Sequence, residues 1–348
     1  MSYSDMIAPA SRATGQLAVP QVPLAALTAV GEFRAELVDR GAQFVDQAVA
    51  LLNEVLAPVE GEPGRRRVPV MWRQHIAYLR STRVLIPTVD GRGSTGYFAV
   101  HKTPEVARAI FPCQLANARA RATPEVSMSQ PNLHDMIMMI RSIPGVRACV
   151  VADLSNWFYQ ISIGEGLAQS FCVECGFDSS LLGVLAMGDI KAPYIAQGLA
   201  WALISYRLPS EADLGLTLPS SAVCPGVIQI ATGFIFVIID TVLVASSDPR
   251  LGAAWSARLK RNAIVLRAAW KMCESYVWPG TTTHMSFYGL QWRFPREGME
   301  WRIDPERIEG WHLWACEQPR PTRRNAFKAI AFVLRDAECR LTPKYRVV

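Results

Sequence analysis

The stretch Ala148-Cys-Val-Val-Ala-Asp153-Leu-Ser-Asn-Trp-Phe158-Tyr-Gln-Ile161 decides how the chain is read, because an apolar run leads directly into a carboxylate. A short, continuous apolar run of this kind predicts a buried strand, with Asp153 at its end. A second stretch, Phe236-Val-Ile-Ile-Asp240-Thr-Val-Leu-Val-Ala-Ser246, sets Asp240 in the middle of a hydrophobic hairpin. A charge in such surroundings is costly unless it is paired or metal-bound. Two carboxylates on adjacent buried strands are what a two-metal site requires. Magnesium fits, because it takes few protein carboxylates and completes its octahedron with phosphate oxygens and water. A plainer reading makes Asp153 a helix or turn cap and Asp240 the turn residue of a hairpin.

Composition sets wide bounds around these two stretches. The 348 residues are half hydrophobic and 19% charged, which suits a folded chain of two or three subdomains. The net charge of +6 favours a polyanionic partner only slightly. Eight scattered cysteines, with no signal peptide, read as reduced thiols in an intracellular, cytoplasmic or nuclear setting. The pair Cys172-x-x-Cys175 has no second Cys/His pair nearby and reads as core rather than as a zinc site. The apolar segment from Val227 to Ser246 contains Asp240, Gly226 precedes it and Gly233 interrupts it, so it predicts two strands and a tight turn, not a membrane span.

Along the chain, residues 1–22 read as a loose tail and Leu24 to Leu56 as one or two amphipathic helices, with Gly41 as the point of a break. A Pro/Gly linker over residues 57–64 follows. The arginines Arg65, Arg66 and Arg67 after it fit a solvated loop or a phosphate contact. Strands are expected at 97–101, 107–111, 147–151, 171–175 and as a pair over 234–245. Helices are expected at Leu133 to Ile143, Ala192 to Tyr206 and, as one long element, Ala253 to Tyr276. Antiparallel strands mixed with packed helices give an α+β class.

The order of the flanking segments adds a resemblance. Phe98-x-Val100-x-Lys102, Arg108-x-Ile110 and Asn117 are followed by the Asp153 stretch and by Leu185-Ala-Met-Gly188-Asp-Ile-Lys-Ala192-Pro193-Tyr-Ile-Ala-Gln197. Then come the Asp240 hairpin, Phe287-Tyr-Gly289-Leu and Ile303-Asp-Pro-Glu-Arg-Ile-Glu309. From about Leu79 to Leu334 this resembles the reverse transcriptase domain of retroelements, closest in style to gypsy-type LTR retrotransposons. The resemblance implies a right-hand polymerase fold with fingers, an antiparallel palm and a partial thumb. It divides the chain into an N-terminal extension (1–67), fingers (68–147), palm (148–300) and the start of a thumb or connection (301–348). It implies that Asp153 and Asp240 are the catalytic metal ligands for Mg2+ or Mn2+. Lys102 and Arg108 would hold the incoming triphosphate, Phe158 would exclude a 2′-hydroxyl, Gly188 and Gln197 would line the nucleotide pocket, and Tyr288 and Gly289 would grip the primer. The implied activity is RNA-directed DNA polymerase, with an RNA template, a DNA primer or RNA–DNA hybrid and dNTP as partners and no membrane. Oligomers or further polyprotein domains are compatible with it.

Each residue also has an ordinary alternative. Phe158 fits a core aromatic, Lys102 and Arg108 fit solvated strand positions, and Gln197 fits the polar face of its helix. The family's paired aspartates, preceded by an aromatic and a variable residue, are here Ile238-Ile239-Asp240-Thr241. Pro112 and Gln114 replace a fingers Asp and Arg, and Ala186 replaces a Pro. The lysine the family carries some ten residues before Gly289 is absent, with Lys271 too early and His284 a poor substitute. No RNase H, integrase or protease segment is read, and both a core from which other domains were cut away and a bare polymerase core fit the sequence. These departures keep a second hypothesis open: a catalytically silent palm used as a nucleic-acid-binding or assembly module. An RNA-dependent RNA polymerase is a third, disfavoured by Phe158.

Overall fold

A computed structural model describes residues 47–48, 50–52, 54, 73–81, 83–89, 95, 98–101, 107–119, 133–175, 178–205, 216–217, 227–265, 268–278, 284–295, 299–306 and 308–309. Helix α1 (Arg73–Ser81) leads to β1 (Leu85–Thr88), followed by the antiparallel pair β2 (Phe98–His101) and β3 (Ala107–Ile110). Helices α2 (Gln114–Arg119) and α3 (Leu133–Ser142) precede β4 (Ala148–Leu154). A 3-10 turn (Trp157–Gln160), α4 (Glu165–Ala168), β5 (Cys172–Cys175), β6 (Asp178–Leu182) and α5 (Ala192–Ser205) come next. Then follow β7 (Leu216–Thr217), β8 (Val227–Ile230), β9 (Gly233–Ile238), β10 (Thr241–Ser246) and α6 (Pro249–Val265). The last described elements are β11 (Trp270–Val277), β12 (Met285–Phe287), β13 (Leu290–Arg293) and β14 (Glu300–Ile303). The expected tail, the linker at 57–64 and Arg65 to Arg67 lie outside the described residues, as does most of the helix expected over 24–56.

Two compact units result, each built from separated stretches. One takes Met1–Met128, Leu154–Ser210 and Leu259–Lys271, and the other takes Ser129–Asp153, Glu211–Arg258 and Met272–Val348. The first unit contains the antiparallel sheet β1-β6-β5, with Leu85 opposite Leu182 and Cys172 opposite Leu181. Its core gathers Leu79, Leu85, Phe111, Cys113, Tyr159, Phe171 and Leu182. Burial drives the Cys113 thiol pKa up, and nearby Asp189 adds to the effect.

The second unit is organised by a six-stranded sheet in the order β11-β4-β10-β9-β8-β7. Helix α3 buries Leu133, Met136, Ile137 and Ile140, the i, i+3, i+4, i+7 stripe of an amphipathic helix. Asp135 in its first turn and Arg141 in its last suit the helix dipole. Pro144 and the left-handed Gly145 (φ 59°) stop it before β4. The apolar faces of α3, β4, β9 and β10 share one core with the meander β12-β13-β14, where Trp292 sits opposite Trp301. Cys149 on β4 is 1% exposed and burial raises its thiol pKa.

Two expectations need correction. The segment 227–246 forms three strands, because Ala231 and Thr232 turn the chain between Ile230 and Gly233. The long helix expected over 253–276 ends at Val265, and Trp270–Val277 is a strand beside β4. The Ala268 N–H donates to the Ala263 carbonyl at 2.8 Å as the chain leaves the helix, and the Trp, Tyr and Val that follow suit a half-buried sheet position.

Gly233 starts β9 opposite Ser246, and a methyl group there would collide with the Ala245 carbonyl. Gly233→Ala should therefore lower stability by roughly 1–3 kcal/mol, the usual cost of overpacking. Urea unfolding measures this, and an unchanged midpoint would mean that the strand yields freely.

Candidate active site

Every residue of β4 except Asp153 is buried, so the carboxylate marks the point where the strand reaches partial exposure. β4 pairs antiparallel with β10, and the register sets Thr241 directly opposite Asp153. Asp240 immediately precedes Thr241, in the two-residue turn that joins Ile238 to Thr241. It is half-buried like Asp153, and the Thr241 hydroxyl lies 3.4 Å from Asp240 Oδ1. The turn is strained: Ile239 has φ 56°, a left-handed conformation that a β-branched residue avoids. Asp240 is thus both the turn residue of the plain reading and the neighbour of Asp153 across the sheet.

The donor set here is two carboxylates and one hydroxyl, all hard oxygens. Such a set suits a magnesium-class ion that draws its remaining ligands from phosphate and water. Among the described residues no three His, Cys, Asp or Glu side chains gather as a self-sufficient metal cage. Cys172 is a buried thiol on β5.

Phe158 belongs to the 3-10 turn of the first unit. Asn156 enters the turn with φ 49°, and the Trp157 indole donates to the Ala196 carbonyl at 2.9 Å. Gln160 fixes its far end, donating to the Ala269 carbonyl at 3.0 Å and accepting from the Ala269 N–H at 2.8 Å. Trp157, Tyr159 and Gln160 are buried while Phe158 is not, so the core takes up its neighbours and leaves this ring half-exposed.

Gly188 lies on the loop before α5, and it is exposed. A Cβ there would sit 2.9 Å from the Phe111 carbonyl, so the glycine allows close approach of two protein backbones. Asn117 of α2 holds the same loop through both ends of its amide. It donates to the Gly188 carbonyl at 2.9 Å and accepts from the Ile190 N–H at 2.9 Å. The Asp189 carboxyl is buried, which raises its pKa, while a hydrogen bond from the Lys191 N–H at 3.0 Å opposes the rise. Gln197 is 1% exposed on α5, so it does not form a polar solvent face. These residues all belong to the first unit, and the Asp153–Asp240 pair to the second.

In the second unit, Tyr288 and Gly289 form the two-residue turn between β12 and β13, with φ 54° and 76°. Positive φ at both positions is the type I′ hairpin geometry. Lys102 lies outside the described residues, and Arg108 is described only as a β3 residue opposite Val100. Lys271 is exposed on β11, and His284 is exposed just before β12. The expected thumb start is described as β14 with a helical turn at Pro305 and Glu306, and Pro319 onward lies outside the description. The two-ended Asn117 clamp escapes sequence reading, because its partners lie more than 70 residues away (|i−j| 71 and 73).

No protein-family model and no curated protein matches the chain. Among solved structures it is similar to a foamy viral protease-reverse transcriptase in complex with dsDNA. The identity is 13% and the TM-score 0.50, over 92% of this chain and 63% of that one. A second structure, the foamy viral protease-reverse transcriptase dRH with ds DNA, gives 14% identity and a TM-score of 0.47, over 88% of this chain and 52% of that one. The chain therefore spans less than two thirds of the length of either. At this identity the first likeness shows the fold: mixed α+β with antiparallel sheets, as in a reverse transcriptase. Among the described residues no helix is long and apolar enough to cross a membrane.

The strain at Ile239 is testable without any activity. Ile239→Gly should raise unfolding stability by about 1 kcal/mol, since relief of the left-handed φ outweighs the added chain entropy. The measurement is the urea midpoint at constant slope, and a fall in the midpoint would mean that the side chain's packing outweighs its backbone strain.

Proposed function

We propose that the chain is a reverse transcriptase-like polymerase core that adds deoxynucleotides to a primer under the direction of a template. The register that sets Thr241 against Asp153, with Asp240 next to it on a strained turn, carries this reading. In it Asp153 and Asp240 would hold the divalent cations of a two-metal site, which when bound would supply Lewis-acid activation of the primer 3′-hydroxyl and neutralise charge on the phosphates. The chain's own groups bind and orient. Phe158 presents a half-exposed ring against the sugar and disfavours a 2′-hydroxyl by shape. The Gly188 loop, held by Asn117, gives the nucleotide a fixed backbone wall, with Gln197 as the further residue assigned to the same pocket. Lys102 and Arg108 bind the triphosphate, Lys as a point charge and Arg as a fork. Tyr288 and Gly289 position the primer on a rigid turn.

Residues 68–147 serve as fingers, 148–300 as palm and 301–348 as the start of a thumb, with the N-terminal 67 residues as an extension. The gypsy-type affinity rests on motif order alone. RNA template, DNA primer and dNTP are the proposed partners, and Mg2+ or Mn2+ the proposed cofactor. Thr241 favours one alternative, because the family's second carboxylate is missing where the register faces Asp153. The alternative is a catalytically silent module that binds nucleic acid or assembles with it.

Single-turnover primer extension with magnesium or manganese separates the two. Asp153→Asn and Asp240→Asn should each slow extension at least about a hundredfold, the scale of losing one preorganised electrostatic group. Extension that survives Asp240→Asn would remove the two-carboxylate mechanism, and a silent wild type would select the binding module. Phe158→Val should raise incorporation of ribonucleotides relative to deoxynucleotides, whereas equal losses for both would return Phe158 to core packing. Primer–template affinity should fall steeply with salt under either reading, because Lys and Arg contacts release counterions. A flat response would remove nucleic acid from the partners.

A further inference from the structure

Residues 47–54 hold the Gly188 loop from a side that the motifs do not cover. Ala48 and Leu52 are buried at 0% and 8% exposure. The Gly164 N–H donates to the Leu52 carbonyl at 2.9 Å. The Tyr194 hydroxyl at the start of α5 donates to Gln47 Oε1. Lys191, between Gly188 and α5, forms an ion pair with Glu54. The Lys191 side chain is 3% exposed and that of Glu54 34%, so the ammonium is the buried member. Burial lowers the Lys191 pKa, which means that the charged form bears a desolvation cost. Lysine is almost never buried to this depth without a partner, and breaking a buried pair costs far more than replacing it with apolar groups.

The loop thus has two anchors from outside and one internal tie. Asn117 takes Gly188 and Ile190, the Asp189 carboxylate takes the Lys191 N–H, and Glu54 takes the Lys191 side chain across a sequence separation of 137 residues. The first two come from the motif-bearing part of the chain. The third comes from a segment that precedes it.

We propose that Glu54 is a positioning residue, and that residues 47–54 form a built-in brace which, through Lys191, fixes the loop presenting Gly188. The brace stands on these contacts alone, while the identity of the braced loop as a nucleotide wall rests on the polymerase reading above.

Hydrogen exchange of the amides at 186–192 in the full chain tests it. Glu54→Gln should speed exchange of that loop about tenfold or more while leaving β4, β9 and β10 protected as in wild type. Glu54→Asp, which keeps the charge on a shorter arm, should fall between the two. The double variant Glu54→Leu/Lys191→Met should return exchange to within about threefold of wild type, because an apolar pair replaces a buried ionic one at little cost. Loop exchange unchanged in Glu54→Gln, or equally fast in the single and double variants, would overturn the brace. In single-turnover extension, Glu54→Gln should raise KM for dNTP with kcat nearly unchanged, and the double variant should recover it. A wild type that does not extend primers defeats the polymerase reading, and the exchange data still decide the brace.

Discussion

Pairing of β4 with β10 sets the terms for everything around the two aspartates. β4 is flanked by β11 on one side and β10 on the other, and six of its seven residues are buried. A strand so enclosed has a locked register, because a slip of one residue inward would draw the Asp153 carboxylate into the apolar part of the sheet. That lock holds Asp153 opposite Thr241 and puts the β9–β10 turn, with Asp240, beside the end of β4. The apolar packing of α3 and of the β12-β13-β14 meander supports the sheet without contributing a charge to this place. Burial of the strands is therefore what fixes the backbone positions of the two aspartates at their ends.

A different device operates in the first unit, where backbone geometry matters more than charge. Gly188 is needed because its neighbour is the Phe111 carbonyl, and Asn117 uses its amide as if it were a strand edge, one donor and one acceptor. The 3-10 turn is built in a similar way. The Gln160 amide bridges to residue 269, and Trp157 ties the turn to α5. Both local structures spend their polar groups on holding backbone and leave a small exposed element, Gly188 in one and Phe158 in the other.

The parts that were legible in the sequence are those where one residue type dominates a run. β4, β9 and β10 are largely apolar runs, and α3 carries its apolar stripe at helical spacing. The boundary after α6 was not legible, because Leu266-Arg-Ala-Ala269 is a run of good helix formers with no Gly or Pro to end it. Pairing beside β4 overrides that propensity. The strands β1, β6 and β12 to β14 are three to five residues long and gain their stability from distant partners, as with Leu85 and Leu182. The position of Asp240 in a turn was legible as the plainer of two readings, since Asp is a turn residue, but the left-handed backbone at Ile239 was not, because a β-branched residue avoids it. The two aspartates could be picked out by their surroundings, but the anchors of the Gly188 loop join residues too far apart for any local pattern to reveal.

Each compact unit also contains a buried free thiol, Cys113 in the first and Cys149 in the second. Burial raises both thiol pKa values, with Asp189 adding to the rise at Cys113, and the thiolate is the form that alkylating reagents attack. At 3% and 1% exposure both are also shielded from a reagent, so modification is slow until the surrounding structure opens. The rate at which each cysteine takes up a thiol reagent becomes a separate clock for its own unit, so the protein already carries the labels needed to time the breathing of its two halves independently.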